Sequence, residues 1–377
     1  MKKISYLEIS SLVLTIIISF NLGINLYFLK NNTGIDSWIT IIISYIIGLI
    51  PLFLIIYISN YKPNLNIFEK NITLFGKTIG KFINLIISFI LFIIAITILY
   101  NVTSFITTQF LYHTPMLITS ILLVTLATYA TTKEINVISH VSLILITINL
   151  IIFILSTTSL IKEIHLNYLL PILKTNPINI ITTSIKLAII NTLPLLIIGI
   201  IPKDNITNQK KYQKSIIIAY FIGMFISFII TTTTITVLNI YLTKAFEYSE
   251  YIALKKIKLF GFLERVENII SIKWITEAFI YLSLIIYSIT KSITYKKIDN
   301  KEELNYHKVD KSKRKFIYTS IIIGIITVIT TNYLFPSITT FNNYLETYFI
   351  YIVSILIPIY LIITLKIIWN KKTLKTN

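Results

Sequence analysis

The stretch Ile4 to Leu29, ISYLEISSLVLTIIISFNLGINLYFL, constrains the fold more than any other. It is long enough to cross a bilayer, whose hydrocarbon core takes about 20 apolar residues. Its centre, however, reads Phe20-Asn21-Leu22-Gly23-Ile24-Asn25, where polar and helix-weakening residues stand at bilayer depth. An unwound turn there bares backbone N–H and C=O groups that lipid cannot satisfy, so they must face protein, a cavity or a ligand. A second run, Ser184 to Ile201 (SIKLAIINTLPLLIIGII), carries Asn191-Thr192-Leu193-Pro194 inside apolar sequence. Two interrupted helices at corresponding positions of two halves point to a binding site near the membrane midplane. The competing reading is two ordinary helices, one carrying Asn and Gly and one kinked by proline. On the first reading Asn21, Leu22, Gly23, Asn191, Thr192 and Pro194 line or shape one ligand cavity.

The rest of the chain has the composition of a polytopic membrane protein: 55% of 377 residues are hydrophobic and the mean hydropathy is +0.79. Soluble chains do not sustain many apolar runs of this length. The first run is too long for the apolar region of a signal peptide and lacks a small-residue cleavage site behind it. With no cysteine, the chain has no disulfide, thiolate nucleophile or thiolate-bound metal. A net charge of +18 resembles a nucleic-acid signal, but much of the excess sits in short loops with no aromatic-interleaved basic face. Nucleic acid is therefore not an expected partner, and membrane topology explains the charge better.

Ten spans are expected, at roughly 4–29, 37–58, 82–107, 115–130, 137–159, 182–201, 215–241, 269–290, 316–335 and 345–368. With both ends in the cytoplasm, 24 of the 34 basic residues fall inside, eight outside and two within spans, as the positive-inside rule favours. The outer loop after span seven runs against the rule with Lys244, Lys255, Lys256, Lys258 and Arg265, partly offset in charge by Glu247, Glu250, Glu264 and Glu267. Residues 61–81 alternate apolar and basic positions and are expected as a helix on the inner membrane surface. Asn167 to Ile180 is expected as a short re-entrant or surface piece. Lys291 to Lys315 is expected as a solvated cytoplasmic loop near anionic lipid. The ten spans form a single transmembrane domain over 1–377 that divides five plus five, at about 4–159 and 182–368.

Charge inside the membrane is costly and usually marks a functional path. Lys273 and Glu277 stand four apart on one face of span eight, where they can pair. They are either a self-neutralised pair facing the bundle interior or a gating and coupling element that meets a ligand headgroup or a proton. Glu8 and Lys186 lie near span ends and are expected to snorkel. His113 and His140 have no ligand company at helical spacing, so no metal site is expected. Asn149 and Asn239 are read as interhelical hydrogen bonders, and the hydroxyls of Thr231 to Thr234 as bonding back to their own helix. No nucleophile–base set, phosphate loop or acid pair appears, so neither catalytic residues nor a cofactor is expected and the chain is read as no enzyme.

These features together resemble the B-subunit family of bacterial spore germinant receptors, within the amino-acid/polyamine/organocation transporter superfamily. Gly23 is followed by Asp36-Ser37-Trp38, similar to the family's Asp-x-Trp. Phe75-Gly76-Lys77-Thr78-Ile79-Gly80-Lys81 resembles its Gly-Lys-x-x-Gly-Lys, and Thr114-Pro115 opens span four as its Thr-Pro does. Leu169-Leu170-Pro171-Ile172 resembles its Leu-Leu-Pro-Ile, and Phe262 to Glu267 followed by Trp274 its Arg-x-Glu segment. Two positions depart from the pattern: His140 where relatives often have Arg, and Asn191 where an acidic residue is expected in span six.

The resemblance implies an all-α bundle of ten transmembrane helices, a five-plus-five inverted repeat with broken first and sixth helices. It further implies a small nutrient germinant, such as an amino acid, bound at the breaks, with a larger membrane A-subunit and a lipoprotein C-subunit as partners in the spore inner membrane. The competing functions are an ion-coupled amino-acid or amine permease and a scaffold with a vestigial pocket. Half-helix N-termini at the breaks would offer N–H groups to a ligand carboxylate. With Asn191 in place of an acid, no carboxylate is expected at the centre of either broken span to carry a coupling proton.

Overall fold

The computed structural model describes residues 3–257, 266–294 and 306–373, and every regular element among them is helical. Residues 258–265, with Phe262-Leu263-Glu264-Arg265 of the Arg-x-Glu resemblance, lie outside the described residues, as does 295–305 of the basic loop. The first apolar run folds as two helices, α1 (Tyr6–Ile18) and α2 (Ile24–Asn32), separated by residues 19–23. α3 (Ser37–Asn60), α4 (Ile67–Gln109), α5 (Met116–Thr132) and α6 (Glu134–Leu160) follow. α7 (Pro177–Thr192) then tightens into a 3-10 segment, Leu193–Ile200, where Pro194 cannot donate to the α-helical ladder. Next come α8 (Gln209–Ala245), a short α9 (Ser249–Leu254), α10 (Val266–Thr294) and α11 (Tyr306–Leu334). The described chain closes with α12 (Ile338–Tyr344), a π turn at Leu345–Phe349, α13 (Ile350–Ser354) and α14 (Leu356–Thr373).

Among the described residues, eight helical segments are long and apolar enough to cross a membrane. α1 and α5 are shorter apolar helices, and α1 reaches spanning length only together with α2 beyond the break. Burial separates inner from outer segments. The apolar window of Pro177–Ile200 is 83% buried and those containing α4 and α10 are 72% buried, against 33% for those of α6 and α11. The outer helices turn residues such as Ile148, Ile151 and Ile154 outward, a face suited to lipid tails. α1 is buried from Ser11 to Ile18 and packs on α6, α8, α10 and the 3-10 segment. The two interrupted segments thus stand inside the bundle, where protein can meet their backbone groups.

The end assigned to the cytoplasm is stitched by backbone bonds. Ile4 N–H donates to Asn205 O (2.9 Å), Thr207 N–H to Ile4 O (2.8 Å) and Asp204 N–H to Pro63 O (3.2 Å). Residues 61–81 form an elbow rather than a separate surface helix. Asn66 caps α4 in reciprocal bonds with Glu69, and α4 then bends at Gly76, whose φ of +80° suits glycine. Asn71 donates to Asn84 (2.8 Å) across the bend, and Asn84 donates to Phe68 O (3.0 Å). At the opposite end, Asp36 accepts from Leu173 N–H (2.7 Å) and Thr175 N–H (2.8 Å). The 167–180 segment is therefore a strap tied to the start of α3, with a 3-10 turn at Leu166–Leu169 at its head and α7 at its tail.

Asn239 corrects an expectation. Its side chain does not cross to another helix; its backbone adopts φ +60° inside α8, and its Oδ1 accepts from Tyr241 N–H (2.8 Å) and Leu242 N–H (3.1 Å). With ψ at 168° this is a strained backbone region for any residue but glycine, and the two local bonds to Oδ1 help to hold it. In the threonine run, Thr233 and Thr234 do bond back to Ile229 O and Ile230 O, while the buried Thr232 hydroxyl has no partner.

Candidate functional site

The break in the first span is built around Gly23. Its φ of +71° and the bond from Ile24 N–H to Leu22 O (2.8 Å) form a tight γ-turn, a rare and strained shape that glycine accommodates best. The turn points Gly23 N–H outward from the helix, where Glu250 Oε1 accepts it at 3.0 Å. Leu22 O also accepts from Asn101 Nδ2 of α4 at 2.8 Å. Below the turn Asn25 N–H donates to Phe20 O and Asn25 Nδ2 to Asn21 Oδ1. The freed backbone groups are thus met by side chains of the chain itself, one of them a carboxylate.

Glu250 arrives from α9, in the connection between α8 and α10, and is 3% exposed. Tyr248 and Tyr251 flank it and pack edge-on against Phe105, with Trp274 on the same ring. The Lys30 ammonium ties the connection down by donating to Phe246 O at 2.5 Å. Burial pushes the Glu250 carboxyl up to about 7, although its hydrogen bonds and Lys30 oppose the shift. Its Oε2 has no hydrogen-bond partner among the described residues.

Two small cavities meet beside this turn. One is lined by Asn21, Asn149, Phe153, Lys273, Trp274 and Glu277 among others, the second by Phe153, Thr233, Glu250, Lys273 and Trp274 among others. Each has room for about one water. Lys273 and Glu277 are 4% and 3% exposed, so both face the interior. They are not joined: the one ion pair among the described residues is between His140 Nδ1 and Glu8 Oε1, 3.1 Å apart. The Lys273 ammonium instead lies over the rings of Trp274 (4.8 Å) and Phe153 (5.5 Å), a cation–π arrangement. Glu277 accepts from Asn149 Nδ2 at 3.4 Å, and the same amide donates to Lys273 O and Thr276 Oγ1. Asn149 is the interhelical hydrogen bonder its position suggests.

The candidate ligand residues distribute unequally. Asn21 lines the first cavity and leaves its Nδ2 unpartnered, and Leu22 and Gly23 shape the turn beside it. Asn191, Thr192 and Pro194 line neither cavity. Thr192 lies against Tyr220, which donates to Tyr45 O (2.7 Å), and Tyr360 donates to Leu193 O (3.3 Å), so tyrosines serve the second break. Asn191 is 1% exposed with both amide atoms unpartnered among the described residues. Glu250 had no signal in the sequence, since an acid in a loop gains its role only through a contact far along the chain; Asn101, an Asn in an apolar span, carried the same signal as Asn149 and was missed. No cluster of three His, Asp or Glu that could hold a metal ion occurs among the described residues.

The profile of a family described as spore germination protein matches residues 4–333. No curated protein matches the chain. The matched region takes in both breaks and every residue of the two cavities.

Proposed function

Since the chain belongs to the spore germination protein family, we propose that it is the nutrient-sensing subunit of a germinant receptor. It binds a small molecule such as an amino acid at mid-membrane and signals to a larger membrane A-subunit and a lipoprotein C-subunit in the spore inner membrane. Its scaffold is ten spans in a five-plus-five inverted repeat, counting α1 with α2 as the first span and α5 as the fourth. The role is binding and relay, not catalysis. The observation that carries this reading is the polar, charge-bearing pair of cavities against the broken first span, in a chain closed around them. Cavities with room for about one water each must open to admit a nutrient. A ligand that favours the opened arrangement shifts the equilibrium toward it, which is all that sensing requires.

The permease reading also has an observation in its favour. The sequence places no carboxylate at the centre of either broken span, yet Glu250 reaches the first break from outside it. A carboxyl that changes protonation near neutral pH is a fit carrier for a coupling proton. Two measurements separate the readings: germination of a deletion strain across a nutrient panel, and accumulation of labelled nutrient in proteoliposomes under an imposed proton or sodium gradient. Loss of one nutrient response without concentrative uptake supports the sensor. Gradient-driven uptake supports the permease. Unaltered germination and no uptake would remove both.

A further inference from the structure

The elbow of α4 carries the Gly-Lys-x-x-Gly-Lys run, which neither break uses. Gly76 takes φ +80° with ψ 174°, and a Cβ there would meet nothing within 4 Å, so the outside of the bend is open. Gly80 faces the other way: a Cβ on it would stand 2.6 Å from Ile72 Cα, where the two limbs of the elbow touch. With Gly80 turned inward, Lys77, Thr78 and Lys81 are exposed. Two other lysines at this end are engaged: Lys70 Nζ donates to Ile58 O and Ser59 O at 3.1 Å each, and Lys371 lies over the Tyr57 ring. Lys77 and Lys81 have no hydrogen bond, ion pair or ring contact among the described residues. The Thr78 hydroxyl is also unpartnered among them, whereas Thr97 and Thr103 farther along α4 bond back to Ile93 O and Leu99 O. Immediately beyond the lysines, Phe82, Leu85 and Phe89 are 60%, 63% and 54% exposed. At about 100° per residue, the two lysines and these three side chains fall within about 140° of arc. From Lys77 to Phe89 the strip runs about 18 Å at about 1.5 Å per residue, close to the roughly 15 Å of one leaflet's hydrocarbon.

We propose that this face of α4 is a binding site for one anionic phospholipid of the cytoplasmic leaflet. Its phosphate sits on the ammonium groups of Lys77 and Lys81 and the hydroxyl of Thr78, and an acyl chain lies along Phe82, Leu85 and Phe89. Unpaired cations at one end of a lipid-facing strip of this length match an acidic headgroup above its own tail. A phosphocholine headgroup brings a cation of its own beside the two lysines, so a lipid of net negative charge is preferred. Each glycine of the run has a task in this: Gly76 makes the bend and leaves its outer side open, and Gly80 lets the limbs close so that the lysines point away from the bundle. The site stands apart from the two cavities, and its occupant is independent of the nutrient. It is nonetheless joined to the second break. Ile67, on the other limb of the elbow, abuts Gly199 so closely that a Cβ on Gly199 would stand 3.2 Å from Ile67 Cβ. A lipid that binds only the folded elbow therefore stabilises the limb on which the segment after that break rests.

The test is native mass spectrometry of the full chain in a non-ionic detergent, titrated with phosphatidylglycerol and with phosphatidylcholine of the same acyl chains. One phosphatidylglycerol is expected to bind about thirtyfold more tightly than phosphatidylcholine, from about 1 kcal/mol for each lysine beside an anionic lipid. Lys77→Gln with Lys81→Gln abolishes that preference. Lys210→Gln with Lys214→Gln, an exposed pair of the same spacing at the same end of the protein, leaves it intact. If the first double variant does not fold, Lys77→Gln and Lys81→Gln made singly each lower the preference about fivefold. Glycerol phosphate, which has the headgroup's charge and no tail, does not displace the lipid at equal concentration. Equal binding of the two lipids by the native chain overturns the proposal. Equal losses in the two double variants overturn it in favour of general surface charge, and displacement by glycerol phosphate overturns it in favour of a free phosphate ester.

Discussion

Replacing Gly23 by alanine attacks the break at two points. At φ +71° an L-residue pays about 1–2 kcal/mol for the left-handed side of the backbone map. The new methyl would stand 2.9 Å from Asn101 Oδ1 and 3.1 Å from a Tyr248 ring carbon. Neither neighbour yields freely: Asn101 is fixed by its bond to Leu22 O, and Tyr248 by donating to Asn101 O at 3.1 Å. Overpacking of this kind costs about 1–3 kcal/mol, so Gly23→Ala is expected to destabilise the fold by about 2–5 kcal/mol. Reversible unfolding in mixed micelles of rising dodecyl sulfate content reads that difference directly. A change under about 1 kcal/mol, or a stabilised variant, would refute the reasoning. It would mean that the helix runs through residues 19–23 without loss and that the break is not needed for folding.

Two further outcomes are expected. Glu250 holds its proton more tightly when folded, about 7 against an ordinary 4.5, so its contribution is most favourable below about 4.5 and is lost as pH rises through about 7. The loss is about 3 kcal/mol; Glu250→Gln should lack this part of the pH dependence and be the more stable protein at pH 8, and parallel unfolding profiles of the two from pH 4.5 to 8 would disprove the burial argument. Asp36→Ala removes the acceptor for Leu173 N–H and Thr175 N–H, at about 1.5–3 kcal/mol for a bond to a charged group. Limited proteolysis should then cut the 170–176 strap at least tenfold faster, and an unchanged rate would show that Asp36 does not hold it.

The break in the first span was legible because its cause is local: Asn21, Gly23 and Asn25 sit in an otherwise apolar run, and the helix yields where they stand. Pro194 marked the second break in the same way. The occupant of the first break was not legible, since Glu250 and Gly23 are 227 residues apart and nothing near either names the other. Asn239 misled for a related reason. An Asn in an apolar run reads as a bond to another helix, and only the backbone shows that it bends its own. Lys273 and Glu277 have the spacing of a pair, yet Asn149 on α6 takes the carboxylate and Phe153 and Trp274 take the ammonium. Spacing says which groups can meet; competition from neighbouring helices decides which do.

The short parallel bridge between Ile4 and Ile206 sets an energy scale for parting the two segments it joins. Its two bonds, Ile4 N–H to Asn205 O and Thr207 N–H to Ile4 O, join the chain's start to the segment leaving the second break. Each contributes about 1 kcal/mol net, so this seam resists parting by about 2 kcal/mol and stands open in roughly 3% of molecules if nothing else holds it. At that depth the seam behaves as a detent rather than a lock. A cue that binds the parted form about a thousandfold better, roughly 4 kcal/mol, would reverse the balance from mostly shut to mostly open.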